Sequence, residues 1–216
     1  MNLLIIALAP VLIILIYIYI KDKYEKEPLG LLSRALLAGG IIVIPIILAE
    51  RWFTYQGFGL TGTNSVAYGA FVVAGFTEEF FKFIALYLLI WKNSEFDEKF
   101  DGIVYAVFIS LGFAAVENVL YIYQSGIEIG YTRALTAVPA HAIFGITMGY
   151  YFSLAKFKPH KRYYYMGMAL VIPVLLHGIY DFILMSQTDL YLLFFVVYLF
   201  LLWRWGFKKL RDIHFQ

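Results

Sequence analysis

Seven apolar runs, at 2–20, 31–50, 66–92, 102–124, 133–155, 163–186 and 189–207, fill most of a 216-residue chain and leave only short polar links between them. A run of about 20 apolar residues is what a helix needs to cross a hydrocarbon layer about 30 Å thick. No water inside the bilayer can satisfy a free N–H or C=O, so such runs must close their hydrogen bonds within helices. The expected fold is all-α: a polytopic transmembrane helix bundle of about seven spans, with residues 1–216 forming a single integral membrane domain. Composition agrees, because 62% of residues are hydrophobic, 15% are charged and the mean hydropathy is +0.77, well outside the soluble range. With no Cys, disulfides and thiolate metal ligands are excluded. The first run lacks a basic start and is followed by Lys21 and Lys23 rather than a small-residue cleavage site. It therefore reads as a retained helix and not a signal peptide.

Charge sets the expected orientation. Alternate links carry Lys21, Lys23, Lys26 and Arg34, then Lys92 and Lys99, then Lys156, Lys158, Lys161 and Arg162, then Arg204, Lys208, Lys209 and Arg211. These are 14 of the 17 Lys and Arg; only Arg51 and Arg133 lie on the other side, and Lys82 falls within a run. By the positive-inside rule the N-terminus is outside and the C-terminus cytoplasmic. The net charge of +2 calls for no nucleic-acid partner, since the basic side chains gather where anionic headgroups lie.

Seven ionisable residues interrupt the apolar runs: Glu78, Glu79, Lys82, Glu117, His141, His177 and Asp181. Each charged one near a helix centre costs about 2.5–3.5 kcal/mol, so the five non-histidine members would cost on the order of 15 kcal/mol unpaired. Such a cost points to chemistry or ion handling inside the bilayer. Counted from the outer helix ends at about 1.5 Å per residue, Glu78 lies about 18 Å deep, Glu117 about 10 Å, His141 about 12 Å, His177 about 14 Å and Asp181 about 8 Å. Four helices thus place an acid or imidazole in the outer half or near the midplane, which argues for one shared site reached from the extracytoplasmic side.

Local spacing supports this. Lys82 is four residues from Glu78 and three from Glu79, so it can neutralise one carboxylate on the same helix face, and the other suits a general acid or base. The competing reading is a structural ion pair. His177 and Asp181 are four apart, so the carboxylate can fix the imidazole tautomer. Pro139 and Pro173 precede the two histidines and favour kinks. Glu117-Asn118 adds an acid and an amide, while Gly112, Ala114, Ala115, Gly145 and Gly149 permit close helix approach, for plain packing or around the site. Trp52 and Trp203 read as interface anchors.

Neither H-E-x-x-H nor G-x-S-x-G occurs, and the serines lie mostly in links or lack a companion His. A glutamate-activated water is the simplest hydrolytic scheme, with no cofactor or metal. Rival readings are a metal-dependent peptidase using Glu78, Glu117, His141 and His177 as ligands, and a proton or ion transporter. The transporter reading expects polar groups along both halves of the helices, whereas here the cytoplasmic halves are nearly free of them apart from Lys82.

The ordered motifs Glu78-Glu79-x-x-Lys82, Gly112-Phe113-x-x-x-Glu117-Asn118, His141-x-x-x-Gly145 and His177-Gly178-x-x-Asp181 resemble the PrsW intramembrane proteases, distant relatives of the type II CAAX prenyl endopeptidases and bacteriocin-processing membrane proteases. The resemblance includes Lys21-Asp22-Lys23-Tyr24-x-x-Glu27-Pro28 and Phe96-Asp97-Glu98-x-x-Asp101-Gly102. It implies a multi-pass protein of the bacterial cytoplasmic membrane. It also implies glutamate-dependent cleavage of a single-pass membrane substrate, an anti-sigma factor, at the first, extracytoplasmic-side cut of a stress response. By resemblance Glu78 is the general base, supported by Glu79 and tuned by Lys82. Glu117 falls where the related prenyl endopeptidases place a histidine. His141 orients water or the scissile carbonyl, and His177 donates to the developing oxyanion, with Asp181 where relatives have Asn.

Overall fold

A computed structural model of the chain describes residues 3–22 and 25–213. Asn2, Lys23 and Tyr24, which the sequence reading used for the first run, the charge count and one motif, lie outside the described residues. Helices α1 (Leu3–Lys21), α2 (Leu29–Ile41), α3 (Val43–Gln56), α4 (Gly62–Tyr68) and α5 (Thr77–Ile90) are followed by α6 (Asp101–Ser125), α7 (Ile127–Leu135), α8 (Ala137–Phe157), α9 (Arg162–Met185) and α10 (Asp189–Asp212). The described residues contain no strand, as a lipid-embedded chain requires.

Five helical stretches among the described residues are long and apolar enough to cross a membrane: 4–21, 29–56, 101–125, 159–185 and 190–212. The other two stretches predicted as spans are also helical, at 62–90 and in α8, but they are not among the five; they carry Glu78, Glu79, Lys82 and His141. The break between α2 and α3 at Ile42 has a covalent cause. Pro45 has no N–H to donate to the Ile41 carbonyl, one turn back.

Helices α6 and α8 form the centre of the bundle. Most of α6 is buried, whereas α10 is largely exposed, its Leu193, Val196 and Phe200 facing outward as lipid-facing residues do. Glycine allows the central crossings. A Cβ on Gly112 would stand 2.0 Å from the Leu36 carbonyl oxygen of α2, and one on Gly149 would stand 2.2 Å from the Gly102 oxygen of α6. Helices in lipid associate by such close packing, since no hydrophobic force drives them together. We expect Gly112→Ala to lower stability by about 2–4 kcal/mol, read as a fall in thermal midpoint in detergent. Gly167→Ala, whose Cβ would meet nothing within 4 Å, should be neutral or slightly stabilising.

Between α4 and α5 the chain widens into a π-helix over Gly69–Phe76. Its wide turns are continued by the Thr77 hydroxyl, which donates to the Val72 carbonyl five residues back (3.1 Å). Gly75 lies against α9, where an added Cβ would be 3.1 Å from the Gly178 amide nitrogen. The widened segment thereby docks beside His177 and delivers the first turn of α5, with both glutamates, to that point.

Candidate functional site

All six sequence-predicted site residues, with Lys82 and Asn118, come together where α5, α6, α8 and α9 meet. Lys82 is fully buried and has three ammonium hydrogens for three acceptors. It donates to Glu78 Oε2 (3.0 Å) and Glu79 Oε1 (2.8 Å), and its third contact is His141 Nδ1 (3.3 Å). It therefore holds both carboxylates, where spacing alone predicted one. The Phe113 ring lies 4.2 Å from the same ammonium, a cation–π contact closing its remaining side.

Because an ammonium can only donate, His141 Nδ1 is an acceptor and its proton sits on Nε2. Nε2–H then donates to Glu117 Oε2 (3.0 Å). Glu117 is held in turn by Arg133 of α7 (2.5 Å), whose Nε also donates to Asn118 Oδ1 (3.0 Å) and whose guanidinium stacks on Tyr121 (3.9 Å). Asn118 donates to the Ala7 carbonyl of α1 (3.0 Å), so its amide anchors a helix contact and steadies Arg133.

His177 stands across the site with Nδ1 against Glu79 Oε1 (3.0 Å) and Nε2 against Asp181 Oδ2 (3.3 Å), and Phe144 stacks on its ring (4.8 Å). Both ring nitrogens thus face carboxylates.

A cavity of about 590 Å³ opens onto this network. Glu78, Glu117, His141, His177 and Asp181 line it, while neither Glu79 nor Lys82 does. Glu79 is fully enclosed, and its Oε2 has no hydrogen-bond partner. The two adjacent glutamates thus differ: Glu78 presents a carboxylate to the cavity, and Glu79 lies behind it as the link between Lys82 and His177.

Three further cavity residues, Glu50, Arg51 and Arg133, were not predicted as site residues. The charge pattern did contain a sign of two of them. Arg51 and Arg133 are the two basic residues that fall outside the cytoplasmic set, and each has a place in the cavity wall. Glu50 ends the second apolar run and so read as a boundary.

Glu78, Glu79, His141 and His177 each offer a ligand atom, all within 4.8 Å of one another. By donor type this set suits a transition metal. The space among these atoms, however, holds the Lys82 ammonium, already bonded to three of the four residues.

The sequence model described as "PrsW family intramembrane metalloprotease" matches residues 27–204. Protease PrsW of Clostridioides difficile (strain 630) is 39% identical over 222 residues, covering 98% of this chain and 91% of the relative. Protease PrsW of Geobacillus kaustophilus (strain HTA426) is 38% identical over 204 residues, covering 94% and 88%, and that of Bacillus subtilis (strain 168) is 37% identical over 208 residues, covering 95% and 92%. No solved structure matches the chain. Family match, end-to-end relatives and a set of membrane-capable helices around a polar cavity agree: the chain belongs to the PrsW family of intramembrane proteases and is a multi-pass membrane peptidase.

Proposed function

We propose that the chain cleaves a peptide bond of a membrane-anchored protein by a water that Glu78 activates. The observation that carries this reading is the asymmetry of the glutamate pair, since Glu78 lines the cavity and Glu79 does not. Glu78 takes a proton from a cavity water, and the water oxygen bonds to the scissile carbonyl carbon as the carbonyl electrons move to oxygen. His141 and Glu117, on the cavity wall, orient the water or the carbonyl, and His177, held between Glu79 and Asp181, lines the same wall beside the reacting carbonyl. The C–N bond then breaks as Glu78 returns the proton to the leaving nitrogen. Glu79 and Lys82 position Glu78 and His177.

The family description includes a metal. The four candidate ligands fit one by type, but a dication among them would stand against the Lys82 ammonium in a low-dielectric interior, a strongly repulsive placement. The Lys82 ammonium, in place of a metal, supplies the positive charge that orders the two glutamates.

The basic links support seven spans in one membrane domain of a bacterial cytoplasmic membrane, N-terminus outside, with the cavity opening to the extracytoplasmic side. On that topology the family resemblance points to an anti-sigma factor as the substrate, cut first on its outer side. The test is cleavage of a tagged single-pass anti-sigma substrate by the purified protein in lipid, with and without chelator. Cleavage unaffected by chelator is the expected result, whereas loss restored by Zn²⁺ would transfer the reaction to a metal.

A further inference from the structure

The acids that line the cavity are matched by bases of this chain, with one exception. Glu78 accepts from Lys82 (3.0 Å), Glu117 accepts from Arg133 (2.5 Å) and His141 (3.0 Å), and Asp181 Oδ2 stands 3.3 Å from His177 Nε2. Glu50 of α3 lines the same cavity, half-buried, and its carboxylate has neither a hydrogen bond nor an ion pair with any described residue. Arg51 follows it on α3 and also lines the cavity, but consecutive helical residues do not face each other, and the two do not pair.

The surroundings of Glu50 are short of positive charge. Glu78, Glu117 and Asp181 are near enough for their charges to act on it, while Lys82 and His177 are already bonded to other carboxylates. A carboxylate within a membrane-spanning helix is costly unless a cation meets it. Glu50 is also within reach of the cavity mouth, since α3 ends at Gln56, about 9 Å further along the helix axis. A Lys or Arg side chain can lay its apolar stem along the wall and carry its charged head that far.

We propose that Glu50 is a specificity-determining residue that binds a Lys or Arg side chain of the substrate close to the scissile bond. The pairing places that side chain in the cavity onto which Glu78 opens. On the cleavage reading above, on which this assignment rests, the preferred substrate is a membrane-anchored segment carrying Lys or Arg within a few residues of the cut. The substrate cation does not compete with Lys82, which lies behind Glu78 and does not line the cavity.

The test is cleavage of a tagged single-pass substrate by the full-length protein in lipid, with the wild-type cut mapped by mass spectrometry and the residues flanking it replaced in turn by Lys, Gln and Glu. Wild type is expected to cut the best Lys substrate with about tenfold higher kcat/KM than its Gln counterpart, the difference lying in KM, and the Glu counterpart more poorly still. Glu50→Gln should erase this preference. Glu50→Lys should reverse it, so that the Glu substrate is cut faster than the Lys one, a charge-swap rescue that a merely structural role would not give. The same preference is read without chemistry from the fluorescence anisotropy of labelled apolar peptides, bearing Lys or Glu at one central position, with the Glu78→Gln protein; adding Glu50→Gln should level the two affinities. Equal handling of Lys, Gln and Glu by wild type, a preference that survives Glu50→Gln, or a fall in kcat common to all substrates would overturn the proposal. Absent cleavage together with a Glu50-dependent binding preference would overturn the cleavage reading instead and leave Glu50 as the residue that recognises a cationic side chain.

Discussion

Glu78→Gln is expected to cut peptide cleavage by about 10³-fold, with the protein still folded and membrane-inserted. Gln keeps the shape of Glu and an oxygen for the Lys82 bond (3.0 Å), so the substitution removes the proton acceptor and little else. The measurement is initial cleavage rate by purified wild type and variant in lipid, alongside the thermal midpoint of each. A variant of unchanged midpoint that cleaves at the wild-type rate would remove Glu78 from the chemistry.

Lys82→Ala should act on stability. Removing the ammonium leaves Glu78 and Glu79, both buried, without their shared cation, and takes from His141 Nδ1 its donor. Breaking a buried ion pair by deleting one partner costs about 3–5 kcal/mol, because the surviving charge has nowhere to go. A large fall in thermal midpoint and in membrane-extracted yield is expected. Adding Glu79→Gln should recover part of it, since one of the two stranded charges is then neutral. No destabilisation in the single variant would mean that the carboxylates are neutral already.

Both expectations depend on features that one-dimensional spacing shows only in part. The distances of three and four residues put Lys82 on the face of Glu78 and Glu79, but which glutamate meets the cavity depends on the rotation of α5. That rotation follows from the π-helix at Gly69–Phe76, for which the apolar run 66–92 carries no periodic signal. The widened segment lies close against α9, with Gly75 beside Gly178. His177 and Asp181 behave as their spacing predicts, within 3.3 Å, because a pair four apart on one helix is local.

Long-range partners are different. Arg133 looked like an orientation exception in the sequence, and only folding brings α7 back so that its guanidinium holds Glu117 and Asn118 at once. Asn118, grouped with the site by sequence, also anchors α1 through the Ala7 carbonyl. Glu27 and Asp101 are 74 positions apart, and nothing local announces that their carboxyl groups share one enclosed place.

The sequence by itself determined the class of fold and singled out the buried ionisable residues that the structure gathers around one cavity. Lipid leaves apolar runs no alternative to helix, and buried charge is too costly to be incidental, so both are legible from hydropathy. The tertiary structure alone decided which acid faces open space, which cation orders it, and where Glu27 meets Asp101. Those depend on helix rotation and on backbone approach at Gly112 and Gly149, quantities set by packing between distant segments that no local pattern encodes.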